Sequence, residues 1–150
     1  VAKLEDIPVR VESRRPKAAK PDTMNLVLHE VHAALNNLQA TDTSHAIDLR
    51  QLPRMSAEVY QNLRDALMHG EVTAVIQTQV KVEVAETRYP GVWWLRYFNE
   101  REEITTEIIE VTAIPVILVP HRVDVLAGMK KLEEQFHIGK PLIQPMAPAP

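Results

Sequence analysis

The chain has 150 residues, 45% of them hydrophobic and 25% charged, the proportions of one globular domain with enough apolar mass to bury a core. A formal net charge of −3 argues against general affinity for nucleic acid or anionic lipid, and the absence of cysteine excludes disulfides, thiolate nucleophiles and sulfur-held zinc or iron–sulfur centres. No apolar run reaches the ~18–20 residues of a membrane span and no basic-then-apolar secretion pattern opens the chain, so a cytoplasmic protein without membrane contact is expected.

Residues 1–22 hold Pro8, Pro16 and Pro21 among Arg10, Arg14, Arg15, Lys17 and Lys20, a composition that predicts a mobile basic arm. A helix follows to about Gln39, capped by Asp22 or Thr23, with Met24, Val27, Leu28, Val31, Leu35 and Leu38 as one apolar stripe. Ala46–Leu49 suits a short strand, and Pro53 separates it from a second helix. Ser56 is the expected N-cap there, Glu58 complements the dipole and Gly70 is the stop. Val59, Leu63, Ala66 and Leu67 form its buried side.

From Val72 to Val111 the apolar period changes from near 3.6 to 2, which predicts strands at about 72–78, 80–88, 92–99 and 104–111. Short connections at Tyr89-Pro90-Gly91 and Asn99-Glu100-Arg101 favour hairpins and hence an antiparallel meander. A last helix is expected near 122–136, with Val125, Leu126, Met129, Leu132 and Phe136 on one side, although Gly128 costs it about 1 kcal/mol. Residues 138–150 carry the proline-rich stretch that ends the chain and read as a disordered tail. The folded body is then 23–137, an α+β domain of order ααββββα, with a four-stranded meander sheet, about three helices and a possible fifth short strand near 46–49.

His29 and His32, three apart on the first helix, suit approach to one metal ion, but no third ligand is marked nearby and half-exposed helix histidines are the plainer reading. His45 and Asp48 flank the short strand without a nucleophile or oxyanion donor beside them. A small metal-dependent enzyme using His29, His32 and His45 or Asp48 is the competing functional reading. The four glycines are too far apart to cradle phosphate. The aromatic strand Trp93–Phe98 shares its stacking residues with RNA-recognition sheets, yet the acidic charge and the element order argue against that function. Arg101-Glu102-Glu103 reads as a solvated turn, and Glu107 is placed to pair with Arg96.

Two stretches carry a resemblance. IDLRQLPRMSAEVYQNLRDALMHGEVTA (47–74) and ETRYPGVWWLRYFNEREEITTEIIEVTAIP (86–115) contain the ordered set GEV(T/S)A, ET-x-x-PG-x-W-x-(V/L)-x-YFN and (I/L)EV-x-x-IP. Together they resemble the conserved C-terminal module of the HupH/HyaF family of nickel–iron hydrogenase expression and formation proteins. The resemblance implies a non-catalytic cytoplasmic accessory protein, without a cofactor of its own, that assists maturation of the iron–sulfur small subunit or its precursor. It also implies possible contact with other maturation proteins. Family members often carry two such modules, and this chain has room for one.

On that reading the mechanism is recognition by an apolar and aromatic surface with a charged rim. Adjacent strand residues face opposite ways. Trp93, with Leu95 and Tyr97, is expected in the core; Trp94, Arg96 and Phe98 are expected to face a partner. If helices cover one side of the sheet only, the other side is an interface or lies under a terminal segment, and a homodimer is expected.

Overall fold

The computed structural model describes residues 22–139, so all but the margins of the expected arm and tail lie outside the described residues. The elements run α1 (Thr23–Thr41), β1 (His45–Asp48), a 3-10 turn (Leu49–Gln51), α2 (Ala57–Leu67), β2 (Thr73–Gln77), β3 (Lys81–Glu86), β4 (Val92–Phe98), β5 (Ile104–Val111), a second 3-10 turn (Val116–Leu118) and α3 (Arg122–Phe136). This is the expected α+β class. The chain divides after Ala113 into two compact units.

In the first unit, five antiparallel strands lie in the order β1-β5-β4-β3-β2. The meander holds for β2 to β5. The short early strand is a true fifth member, and it pairs not with its neighbour in sequence but with the far side of β5, His45 opposite Val111 and Asp48 opposite Ile108.

Local chemistry sets the helix ends. The Asp22 carboxylate accepts from the Met24 N–H at 3.3 Å and the Ser56 hydroxyl from the Val59 N–H at 3.2 Å, each satisfying an orphan donor of a first turn. Helix α2 ends at Leu67, before the predicted stop. Its last carbonyls are taken by Arg88, whose backbone N–H reaches Leu67 O at 2.9 Å while its guanidinium donates to the carbonyls of Asp65 and Met68. Gly70 instead serves the contact with β3. Its N–H donates to Glu86 O, and any Cβ would press into the carbonyls of Glu86 and Thr87.

Helices α1 and α2 pack over one face of the sheet. Val27, Val31 and Ala34 from α1, and Leu63 and Leu67 from α2, meet Ile47, Val92, Trp94, Ile109 and Val111. The opposite face was expected to be either an interface or buried under a terminal segment if the helices covered one side only. Val82, Val84, Trp93 and Leu95 on it are each no more than 6% exposed, so its centre is buried. In the second unit, α3 keeps its predicted bounds, and the apolar side read from its sequence (Val125, Leu126, Met129, Leu132, Phe136) is exposed.

Candidate functional site

The family-like motif residues build corners. Thr87, 1% exposed, exchanges hydrogen bonds with the backbone of Tyr89 through its hydroxyl, and Gly91 closes that turn at φ 84°, a value glycine reaches without strain. The Asn99 carboxamide oxygen accepts from the N–H groups of Arg101 and Glu103 at 2.9 and 3.0 Å, while its nitrogen donates to the Glu103 carboxylate at 2.8 Å. These side chains hold both ends of β4, which fixes where Trp93 to Phe98 point.

Alternation along β4 places Trp94, Arg96 and Phe98 on the helix-covered side of the sheet, but the helices reach only part of it. Trp94 lies under them at 1% exposure and belongs to the central core. A partner-facing Trp94 is therefore corrected: the residue packs edge-on to Tyr60, with ring centroids 6.0 Å apart at 86°, and lies 5.6 Å from the Arg64 guanidinium. Trp93, expected in the core, is buried on the other face and donates its indole N–H to Thr112 O at 3.0 Å.

The expected pair between Glu107 and Arg96 does not form, although the two are register partners. Glu107 turns toward α2, where one carboxylate oxygen accepts from Tyr60 Oη at 2.7 Å and from the Trp94 indole at 3.1 Å. Burial, then the hydrogen bond to Glu107, pushes the Tyr60 phenol above its ordinary range. Arg96 takes Glu83, its partner on β3, instead. Glu83 also receives Lys81 at 2.6 Å, and that hydrogen bond, more than the charge of Arg96, holds its carboxyl below the usual range against the opposing effect of burial.

Beyond the helices, on the same face, Phe98 is half-buried beneath two cations: Lys81 Nζ lies 4.8 Å from its ring centroid and the Arg96 guanidinium carbon 5.8 Å. Val75, at 59% exposure, extends this face onto β2. Between the end of α2 and this part of the sheet is a groove of about 280 Å³, whose lining includes Met68, Val75, Glu83 and Arg96. Two of the three residues predicted to meet a partner, Arg96 and Phe98, thus share an accessible aromatic and charged patch. Sequence reading missed Lys81 and Glu83 as members; the Lys-x-Glu alternation opposite Arg96 was their signal.

The titratable residues considered for metal or acid–base chemistry are dispersed. His29 and His32 are exposed on α1, His45 Nε2 lies 2.7 Å from Glu30, and Asp48 is held by Arg50 at 2.7 Å with its carboxyl lowered to about 2. Among the described residues no three His, Asp or Glu side chains gather as a metal site would require. No helix among them is long and apolar enough to cross a membrane.

Residues 23–138 match the family model described as HupH hydrogenase expression protein, C-terminal conserved region. The chain is 31% identical over 144 residues to the hydrogenase expression/formation protein HupQ of Azotobacter chroococcum mcd 1, covering 87% of this chain and 50% of that protein. It is also 31% identical over 96 residues to HoxQ of Azotobacter vinelandii, across 64% of this chain and 34% of the relative. It therefore spans at most half the length of these curated relatives. The solved structure of hydrogenase expression protein HupH from Thiobacillus denitrificans ATCC 25259 superimposes with a TM-score of 0.73 at 30% identity, over 79% of this chain and 98% of that one. With its corner motifs, its five-stranded sheet and this match over nearly all the described residues, the chain belongs to the HupH hydrogenase expression protein family through that family's C-terminal conserved region.

Proposed function

We propose that the chain acts in nickel–iron hydrogenase maturation as a non-catalytic cytoplasmic module that binds the iron–sulfur small subunit or its precursor. Family membership supports the maturation role. The observation that carries the binding mode is the Phe98 ring flanked by Lys81 and Arg96 on the part of the sheet that α1 and α2 leave uncovered. The Phe98 ring provides an aromatic anchor, and the Lys81–Glu83–Arg96 network provides a rim that orients an incoming chain.

Affinity capture from cells expressing the hydrogenase tests this reading. The folded chain retains the small subunit or its precursor, and Phe98→Ala and Arg96→Glu reduce recovery while thermal melts confirm the fold. Recovery of neither the small subunit nor another maturation protein by a folded bait overturns it.

A further inference from the structure

Strand β5 is eight residues long and β1 only four. Because β1 lies opposite Ile108 to Val111, the half of β5 from Ile104 to Glu107 has β4 on one side and no strand on the other. Among the described residues no loop backbone group bonds to that free edge. Such an edge is a row of unpaired donors and acceptors spaced for another strand.

The free edge is not flush with solvent. A cleft of about 500 Å³ runs along it, walled on the far side by the segment from Leu49 through Ala57. Four strand residues extend about 14 Å, so the cleft takes one short extended segment in line with β1. Its apolar lining comes from Leu49, Leu52, Met55 and Ile104, and its charges are Arg50 and Arg54 against the single carboxylate of Glu107. That carboxylate is already held by Tyr60 and Trp94, and Arg50 by Asp48, whereas Arg54 has no ion pair among the described residues.

The geometry points to a peptide-binding cleft in which an extended, acidic and apolar segment of a partner protein adds a strand to the free half of β5. Backbone pairing supplies the fit and Arg54 the preference for acid. Two of the chain's own outlying segments suit the cleft poorly, whereas the acidic, apolar Leu4-Glu5-Asp6-Ile7 competes with a partner for it and, if seated there, would leave no saturable peptide binding. Residues 10–20 bring five like charges toward Arg50 and Arg54, and Gly139–Pro150 holds four prolines, none of which donates a ladder hydrogen bond. The cleft adjoins the Phe98 patch across the β4–β5 pair, where Phe98 is the register partner of Ile104 and Arg96 that of Glu107, but Arg54 on its far wall lies outside that patch, so substitution there reads the cleft alone.

Fluorescence anisotropy on the full chain tests it with three labelled heptapeptides: one alternating Val and Glu, one alternating Val and Lys, and one with the Glu peptide's central residues replaced by Pro. The Val–Glu peptide binds saturably and about tenfold more tightly than either of the others, and Arg54→Glu erases that margin. His29→Ala, on α1 and outside the cleft lining, leaves its binding unchanged. Absence of saturable binding up to millimolar peptide, equal affinity for the Lys or Pro peptide, or retention of the Val–Glu peptide's margin in Arg54→Glu overturns the proposal.

Discussion

The Trp94 indole and the Glu107 carboxylate meet at 3.1 Å across the β4–β5 pair, and the same oxygen takes the Tyr60 hydroxyl from α2 at 2.7 Å. One carboxylate therefore ties a helix to the centre of the sheet at a point where apolar packing alone would leave an indole N–H buried and unpaired.

Glu107→Ala removes the acceptor from both donors. The expected loss is about 1–3 kcal/mol, because the Trp94 N–H is left without a partner inside the core. Glu107→Gln keeps an acceptor oxygen and loses less. Urea unfolding monitored by tryptophan fluorescence measures both; equal losses for the two variants would show that charge, not hydrogen bonding, sets the contribution.

The two tryptophans separate by conservative replacement. Trp94→Ala empties the core beneath α1 and α2 and costs about 3–5 kcal/mol. Trp93→Phe keeps most of the buried ring and gives up the bond to Thr112 O, for about 1 kcal/mol. Chemical denaturation of each variant checks the order, and a larger loss for Trp93→Phe would contradict it.

Gly70→Ala tests the close approach of the segment after α2 to β3. The added methyl meets the carbonyls of Glu86 and Thr87, which belong to the backbone and yield little, so about 1–3 kcal/mol is lost. An unchanged melting temperature would mean that the segment moves freely away from the sheet.

How much of this was legible in the sequence follows from how local each cause is. Asp22, Ser56 and the period-2 runs act within a few residues, and they place α1, α2 and β2 to β5 to within about two residues at most boundaries. The partner of β1 was not legible, because pairing His45 with Val111 joins residues distant in sequence. The Trp94 assignment failed for a related reason. Alternation tells that Trp93 and Trp94 face opposite ways, but which side α1 and α2 cover is a tertiary choice. Glu107 was matched to Arg96 on proximity in the meander, and the structure gives it to Tyr60, a residue on a helix whose position no local signal reveals.

Acid should expose the carboxylate network. Lys81 and Arg96 hold Glu83 below its ordinary 4.5, and Arg50 holds Asp48 at about 2. Between those values and the unfolded ones the unfolded chain binds more protons, so unfolding free energy rises with pH there. The contribution is complete above about pH 5 and is lost as the pH falls through the folded values toward 2. Urea midpoints from pH 7 to pH 3 follow the decline; Glu83→Gln flattens it, and an unaltered slope in that variant would remove Glu83 from the account.

The central claim is that this domain recognises a hydrogenase maturation client through the patch around Phe98. Calorimetric titration of the full chain with purified small-subunit precursor is the most direct measurement. Saturable binding that weakens about tenfold or more in Phe98→Ala, with the melt unchanged, is the predicted result. Binding equal in the wild type and Phe98→Ala, or no heat at all with a folded chain and a folded precursor, would contradict it.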